Sequence, residues 1–472
     1  MKKGMNRRDF FKHMGAGAVA SSTLLAACKG HKAELTAAGN YQEPPKDQMT
    51  YRTNPNTGDK VSILGYGMMR LPVIKNDGED KEGEEQLDQE MINRQVDYAL
   101  EHGVNYFDTS PAYCQGRSEA ATGTALHRHK RSSYYIATKL SNFSPETWTT
   151  EASKEMFENS LKYLQTDYVD YLLLHGIGMG DDGMKQFYDR YIDNGILDWL
   201  VEQKKAGRIR NLGFSYHGDV KVFDRALKWH DEGKYHWDFV QIELNYLDWN
   251  FADEINAFNT DAVYLYGELK KRGIPAVIME PLLGGRLANV PDAVIAKMKA
   301  REPEKSVASW AFRFAGNPDG VLCVLSGMTY MDNLKENICT YAPLKPLTKE
   351  EDEFLMEIAR DIYNLNTIPC NECNYCMPCP YGLNIPAIFA HYNKCIKEGN
   401  LPNKGEEDPD YRRARRAFLI GYDRSVPRLR QANHCVQCGE CVSHCPQRIQ
   451  IPQELERVDQ FVEQLKTSSD TL

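Results

Sequence analysis

The chain has 472 residues, of which 42% are apolar and 26% are charged, and its net charge is −9. At roughly 100–200 residues per domain this length allows several domains, and the apolar content supports at least one large core. An acidic surface repels phosphate backbones, so the composition argues against nucleic acid as a partner.

The first 28 residues have the pattern of a signal peptide. Residues 6–12 read NRRDFFK, a twin-arginine pattern, and the apolar run Met14–Ala27 is shorter than the ~20 residues of a membrane span. The run ends in LAAC at Cys28, which either resembles a bacterial lipobox with a lipidated cysteine or is a cleavage site beside a chance cysteine. We expect twin-arginine export to the bacterial cell envelope, a periplasmic location, and membrane contact only through a lipid anchor at Cys28. Residues 29–47 are polar and predict a linker.

From residue 48 onward, short β-type runs alternate with helical patterns. The β-type runs are Val61–Gly67, Val104–Phe107, Tyr134–Thr138, Tyr168–Leu174, Ile209–Phe214, Phe239–Ile242, Pro275–Ile278 and Val321–Leu325. The helical patterns are Gln89–Glu101, Glu119–His127, Thr150–Leu164, Ile196–Lys205, Val220–Trp229, Ala262–Lys271, Lys305–Phe314 and Met331–Thr340.

Eight strand–helix units predict a parallel sheet, and this number closes a (β/α)8 TIM barrel over residues 48–345. An open doubly wound sheet is the competing arrangement. It normally carries GxGxxG after its first strand, whereas residues 65–70 read GYGMMR. The long segment Gly176–Asn194 follows the fourth strand, on the active face of a barrel, and we expect it to close over a substrate.

Polar residues end three successive predicted strands, where barrels place catalytic groups: Asp108, Lys139 and His175. Each alone has a simpler explanation, as a helix cap or as a side chain at the barrel rim. Their shared position is harder to explain in that way.

The blocks NYFDTSPAY at residues 105–113 and GRSE at residues 116–119 carry a more specific signal. Together with Lys139 and His175 they resemble the signature of the aldo/keto reductase family, over roughly residues 50–345. The resemblance implies a catalytic set of Asp108, Tyr113, Lys139 and His175. Tyr113 would act as acid–base with its pKa lowered by Lys139, Asp108 would hold Lys139, and His175 would donate a hydrogen bond to the carbonyl oxygen.

The same resemblance implies nicotinamide contacts at Ser215 and Gln241 and adenine-end contacts at Glu336 and Asn337. The chain departs from the family here, because Tyr216 stands where asparagine is usual and no aromatic residue follows the seventh strand. The lysine and arginine that grip a 2′-phosphate are also missing, unless Arg286 compensates, so the choice between NAD and NADP stays open.

Eight of the thirteen cysteines form two matched runs near the C-terminus: Cys370, Cys373, Cys376 and Cys379, then Cys435, Cys438, Cys441 and Cys445. Both runs end in Cys-Pro, and the second has the spacing of two-cluster ferredoxins. That pattern implies two [4Fe-4S] clusters with crossed ligands. Cluster one would take Cys370, Cys373, Cys376 and Cys445, and cluster two would take Cys435, Cys438, Cys441 and Cys379. Zinc sites and disulfides are the alternatives.

The 55 residues between the two runs look helical at Ile385–Lys397 and Tyr411–Ile420. Residues 346–472 therefore resemble a mostly α-helical two-cluster ferredoxin-type domain, as in the aldo/keto reductase subgroup fused to such a domain. The basic run at Arg412–Arg416 is either a solvated helix face or a surface for an acidic redox protein partner.

The leading interpretation is an oxidoreductase that interconverts a small-molecule carbonyl and its alcohol with NAD(P)H and carries two clusters for electron transfer. The alternative is an electron carrier whose barrel is a docking scaffold without nicotinamide turnover. Clusters pass single electrons whereas a nicotinamide passes a hydride, and no flavin motif bridges the two.

Overall fold

The structure, a computed structural model, describes residues 39, 43–74, 86–180, 182–254, 259–365, 367–402, 409–445, 447 and 449–467. The predicted signal peptide with Cys28, and most of the predicted linker 29–47, lie outside the described residues. No helix in the described ranges is both long enough and apolar enough to cross a bilayer.

Eight parallel strands close into a barrel, with β10 paired to β3. After a short hairpin, β1 (Tyr51–Thr53) and β2 (Lys60–Ser62), they are β3 (Leu64–Gly67), β4 (Tyr106–Asp108), β5 (Tyr135–Leu140), β6 (Val169–Ile177), β7 (Ile209–Tyr216), β8 (Phe239–Glu243), β9 (Ala276–Met279) and β10 (Val321–Ser326). Val324 pairs with Leu64 where the barrel closes, and Gly65 pairs with Tyr106 across β3 and β4. The predicted (β/α)8 barrel is confirmed.

The hairpin closes the amino end of the barrel. Asn54, in its turn, donates from Nδ2 to the Tyr171 hydroxyl at 3.0 Å and to Asn211 Oδ1 at 3.1 Å. Val61 joins the apolar cluster that fills the barrel interior. The sequence predicted one strand over Val61–Gly67. In the structure a bend at Ile63 interrupts this stretch and separates the hairpin from β3. Ligands therefore reach the barrel from its carboxyl end.

Helices surround the strands, and several of them begin at a residue whose side chain caps the helix. Asp88 accepts a hydrogen bond from the Met91 N–H, and Thr149 accepts one from the Ala152 N–H. The helices of this part are α1 (Gln89–Glu101), α2 (Ser118–Leu126), α3 (Thr150–Leu164), α4 (Gly183–Phe187), α5 (Ile196–Lys205), α6 (Val220–Asp231), α7 (Asp248–Phe251), α8 (Ala262–Lys271), α9 (Asp292–Arg301), α10 (Val307–Gly316), α11 (Met331–Tyr341) and α12 (Lys349–Tyr363). All eight predicted helical segments are present, and α4, α7, α9 and α12 are additional.

The segment Gly176–Asn194 is not the free loop that its length led us to expect. Residues 183–192 are helical, in α4 and the turn Tyr188–Ile192. Arg190 is 2% exposed and donates to the His175 carbonyl at 2.6 Å, and the buried Tyr191 hydroxyl is bonded to the Leu140 carbonyl. These contacts hold the segment on the barrel, and its closure over a substrate stays a prediction.

The C-terminal region has its own apolar core, formed by residues between Ile368 and Leu465. Its helices are α13 (Ile385–Lys397), α14 (Tyr411–Ser425), α15 (Glu440–His444) and α16 (Ile451–Thr467). Helix α12 instead buries Leu355, Ile358 and Ile362 in the barrel core. Helix α12 thus lies after the predicted boundary at residues 345/346 and packs with the barrel.

Candidate active site and cluster sites

Three successive strands bring the predicted catalytic residues together. Asp108 ends β4, Lys139 lies near the end of β5, and His175 lies near the end of β6. Lys139 Nζ donates to Asp108 Oδ1 at 2.5 Å and lies 4.6 Å from the centre of the Tyr113 ring. The rings of Tyr113 and His175 meet edge to face with centres 5.8 Å apart. All four residues thus converge at the carboxyl end of the barrel.

The Lys139–Asp108 pair is buried, with Lys139 also donating to the Thr109 carbonyl at 2.8 Å. Burial raises the pKa of Asp108 and lowers the pKa of Lys139, while their mutual attraction opposes both changes. Asp108 Oδ2 has no hydrogen-bond partner among the described residues. Lys139 is therefore the main compensation for a carboxylate that has little other support.

Burial has the largest effect on the pKa of Tyr113. Burial, followed by the charges of Asp108, Tyr375 and Glu280, raises the pKa of Tyr113 well above its usual value. Lys139 faces the tyrosine ring and directs its hydrogen bonds to Asp108 and Thr109. Burial therefore opposes the lowering of the Tyr113 pKa that we expected from Lys139, and that expectation stays a prediction.

His175 is held by groups that the sequence analysis did not select. Its Nδ1 lies 2.6 Å from Ser141 Oγ, and Ser141 Oγ lies 2.8 Å from Ser110 Oγ. Burial, and then the cations Lys139 and Arg190, lowers the pKa of His175 well below its usual range. A serine two residues after Asp108 and another two residues after Lys139 were the available signal, but one sequence does not show which serines face inward.

The predicted nicotinamide contacts lie on β7 and β8. Ser215 Oγ accepts a hydrogen bond from the Gly176 N–H at 2.8 Å. Gln241 is 2% exposed, donates weakly to Met279 Sδ at 3.3 Å, and leaves its Oε1 without a partner among the described residues. A buried, unmatched carbonyl oxygen suits a ligand N–H donor, such as a carboxamide.

The predicted adenine-end residues lie on α11, after β10. Asn337 Nδ2 donates to Ser326 Oγ at 3.0 Å, and Glu336 Oε1 is buried without a partner in the described part of the chain. This second unmatched acceptor suits the amino group of a base. The residues present therefore fit a dinucleotide at both ends. Arg286 does not supply the missing cation, since it pairs with Glu254 at 2.7 Å and donates to Thr367 at 3.0 Å.

The eight motif cysteines line two cavities. One is bordered by Cys370, Cys373, Cys376 and Cys445, and the other by Cys435, Cys438, Cys441 and Cys379. This grouping has the crossed arrangement that the ferredoxin pattern implies. No disulfide joins any of the described cysteines.

The two motifs also share a backbone conformation. The first cysteine sulfur of each accepts an N–H two residues later, from Glu372 at 3.5 Å and from Gln437 at 3.4 Å. Both motifs turn through positive φ at equivalent places: 56° at Glu372 and 64° at Asn374, then 58° at Gln437 and 79° at Gly439. Paired CxxCxxC loops wrapped around a common centre, with N–H donors aimed at sulfur, fit an iron–sulfur cluster better than a zinc site.

The cluster-one loop, residues 370–376, lies against the carboxyl face of the barrel. Asn371 packs so closely on Gly284, in the loop after β9, that a Cβ at Gly284 would overlap it. At its other end, Tyr375 is close enough to Arg70 and Tyr113 for their charges to interact. Because Gly284 follows β9 while Arg70 and Tyr113 follow β3 and β4, the loop crosses part of the barrel mouth.

Comparison with known proteins gives two family matches: residues 64–359 match the profile of the Aldo/keto reductase family, and residues 369–450 match that of a 4Fe-4S dicluster domain. L-galactose dehydrogenase of Arabidopsis thaliana is 25% identical over 320 residues, covering 63% of this chain and 89% of that protein. The uncharacterized oxidoreductase YqkF of Bacillus subtilis is 25% identical over 332 residues, covering 64% of this chain and 94% of its own. A solved aldo-keto reductase from Bacillus halodurans, 24% identical, aligns with a TM-score of 0.50 over 66% of this chain and 96% of its own, which supports the fold.

Proposed function

The chain belongs to the aldo/keto reductase family and carries a 4Fe-4S dicluster domain, and on that premise we propose that it interconverts a carbonyl compound and its alcohol with a nicotinamide cofactor. The observation that carries this proposal is the convergence of Tyr113, His175 and the Lys139–Asp108 pair at the open end of the barrel. The substrate is a small molecule whose identity the site does not specify.

Each member of the set has a distinct task in carbonyl reduction. A bound nicotinamide would supply the hydride to the carbonyl carbon. The neutral phenol of Tyr113 would give its proton to the carbonyl oxygen, and a neutral His175 would donate a second hydrogen bond to it. Lys139, fixed by Asp108, places a positive charge beneath the Tyr113 ring, where it would stabilise the phenolate left by proton transfer.

The unmatched acceptors define where a dinucleotide would bind. Gln241 on β8 would receive the carboxamide N–H, and Glu336 on α11 would receive the adenine amino group. A dinucleotide bound to both residues would pass the carboxyl end of β9. The loop after β9 contains Gly284, which packs against Asn371. The cluster-one loop would therefore border the dinucleotide. Since Arg286 is already paired, it would not hold a 2′-phosphate, and both NADH and NADPH are candidates for the site.

We assign the two cysteine groups as ligands of two [4Fe-4S] clusters, which when bound would each carry one electron. Cluster one lies beside the barrel because its loop contacts Gly284 and approaches Tyr113. Cluster two has the more open position, since Cys438 and Val436 on its border are exposed. From these positions of the two clusters, we predict that a redox protein partner exchanges electrons at cluster two.

Anaerobic titration of the cluster-loaded protein with NADH and with NADPH tests the function. We expect binding of at least one nucleotide, and its oxidation when a panel of carbonyl compounds is added, including L-galactose because of the Arabidopsis relative's name. Tyr113→Phe should bind the nucleotide normally and lose turnover by about 100-fold or more. Full turnover by this variant would contradict the catalytic assignment.

The second candidate is an electron carrier whose barrel is only a docking scaffold. It is favoured by Ser215, whose hydroxyl already accepts the Gly176 N–H, and by the absence of an aromatic residue after β9. The same titration separates the two functions. A scaffold binds neither nucleotide, whereas a coupled enzyme shows bleaching of cluster absorbance when reduced nucleotide is added.

Export by the twin-arginine route to the periplasmic side of the cell envelope, with a lipid on Cys28, remains part of the proposal. Substitution of Arg7 and Arg8 by lysine should retain the protein in the cytoplasm. Cys28→Ala should abolish incorporation of labelled palmitate. Both outcomes are read from cell fractions of the expressing bacterium.

A further inference from the structure

A chain of buried hydroxyl groups ends on the ring of His175. The Ala112 N–H donates to Ser110 Oγ at 3.1 Å, Ser110 Oγ lies 2.8 Å from Ser141 Oγ, and Ser141 Oγ lies 2.6 Å from His175 Nδ1. Ser110 is fully buried and Ser141 is 7% exposed. Water therefore has little access to this chain, and its hydrogen atoms must be distributed among its own members.

The backbone N–H of Ala112 fixes the direction of the chain. An N–H can only donate, so Ser110 Oγ accepts there and must place its own hydrogen elsewhere. Ser141 Oγ is its nearest acceptor, and the Ser141 hydrogen then points to His175 Nδ1. In the reverse arrangement Nδ1–H donates to Ser141 Oγ, and Nδ1 can no longer accept from Ser141 or from Ser110, whose Oγ lies 3.4 Å away. One of the two serine hydrogens is then left without an acceptor among the contacts of the described residues. An unmatched buried donor costs about 1–3 kcal/mol, so the forward arrangement is favoured.

We propose that Ser141, oriented by Ser110, is a positioning residue that holds His175 as the neutral tautomer with its proton on Nε2. This inference rests on the proposed carbonyl chemistry. The nitrogen that is not bonded to Ser141 then carries a hydrogen, and the Tyr113 ring meets the imidazole edge to face. Nε2–H is therefore the group that can donate a hydrogen bond to the carbonyl oxygen, while Tyr113 polarises the same oxygen from a second direction.

The charges around the ring make this control necessary. Burial together with Lys139 and Arg190 keeps the imidazole neutral, since these cations lower its pKa. A protonated histidine carries hydrogens on both nitrogens and needs no tautomer control, but a neutral histidine donates from only one. Without Ser141, molecules with the proton on Nδ1 present a lone pair to the substrate oxygen and cannot assist.

The test observes the tautomer directly, in the full chain loaded with its clusters and labelled with ¹⁵N-histidine. Nitrogen shifts and couplings distinguish a protonated from an unprotonated ring nitrogen, and His175→Gln identifies the signal. We expect an Nε2–H tautomer in the wild type, a mixture in Ser141→Ala, and recovery in Ser141→Thr. If the carbonyl chemistry holds, Ser141→Ala should lower kcat by about 10- to 100-fold and leave KM nearly unchanged.

Ser153→Ala is the matched control. Ser153 is also buried and has two hydrogen bonds, with Asn142 at 3.2 Å and the Thr147 carbonyl at 3.0 Å, neither of them to His175. It should change stability and leave the tautomer intact. An Nδ1–H tautomer in the wild type, or an unchanged tautomer in Ser141→Ala, would overturn the proposal. If the wild type reduces no carbonyl compound, the proposed function fails, while the nitrogen spectrum still decides the tautomer.

Discussion

Glu119 offers a sharp test of the electrostatics beneath the active site. Its carboxyl group is 2% exposed and accepts a hydrogen bond from Thr138 Oγ1 at 2.5 Å, next to Lys139. Burial raises the pKa of Glu119 from 4.5 to about 7, although bonds with Thr138 and Ser160 oppose this rise. We predict that Glu119→Gln, which keeps the shape and the hydrogen bonds of the neutral acid, stabilises the barrel at pH 8 relative to the wild type.

The magnitude follows from the two pKa values. Between pH 4.5 and 7 the folded protein holds a proton that the unfolded chain has released, so stability is present at low pH and is lost as the pH rises. At about 1.36 kcal/mol per pH unit, the whole interval corresponds to about 3.4 kcal/mol. Glutamine does not titrate. The unfolding free energy of the variant, relative to wild type, should therefore rise by about 3 kcal/mol between pH 4 and pH 8.

Tryptophan fluorescence during urea denaturation measures this difference, because all six tryptophans lie between residues 148 and 310, within the barrel. Glu155→Gln, which removes an exposed carboxylate from α3, is the charge-matched control and should give a nearly flat difference. A difference for Glu119→Gln that does not change with pH would refute the reasoning, since it would place the carboxylate in an environment that tolerates its charge.

Three further predictions concern the ion pair, the clusters and the domain contact. Lys139→Met should cost about 3–5 kcal/mol of unfolding free energy at pH 7, because it leaves the Asp108 carboxylate buried without its cation, and adding Asp108→Asn should recover much of this loss. Cys445→Ser should deplete cluster one and Cys379→Ser cluster two, each read as lost iron and a changed EPR spectrum of the reduced protein. Gly284→Val should loosen the cluster-one loop, because φ is 65° there and the loop packs on its Cα, and limited proteolysis should cut this loop faster.

A specific result would contradict each of these three predictions. Equal stabilities for Lys139→Met and the double variant would mean that the two residues are not coupled. Loss of cluster two in Cys445→Ser, with cluster one intact, would replace the crossed ligand sets by uncrossed ones. An unchanged proteolysis rate in Gly284→Val would mean that the Asn371 contact does not hold the loop, and Gly267→Val, at an open helix position, controls for valine itself.

The sequence predicted the barrel and the place of the four proposed catalytic residues because both depend on local patterns. An apolar strand with a polar residue at its carboxyl end, such as the one that ends at Asp108, can be identified as a barrel strand without information about the strands beside it. The two cysteine runs are local patterns too, whereas their crossed grouping came from the resemblance to two-cluster ferredoxins. The hairpin at residues 51–62 was missed because two three-residue strands have almost no periodicity.

The other features that the sequence did not indicate depend on contacts between distant residues. Nothing near Arg286 in sequence indicates that Glu254 and Thr367 occupy its guanidinium. The raised pKa of Tyr113 comes from burial and from groups that include Tyr375, which lies 262 positions later in the chain. The packing of helix α12 on the barrel is also not readable from sequence, because its amphipathic pattern shows that one face is buried but not which core receives it.

The crossed cysteine groups have a consequence for how the protein is made. With the proposed ligands, cluster one needs Cys445, so a chain still on the ribosome offers it only three thiolates until the second motif has emerged. Cluster two likewise draws one ligand from the first motif. Metal insertion must then follow synthesis of the C-terminal region, and a chain cut anywhere between Cys379 and Cys435 loses both centres together.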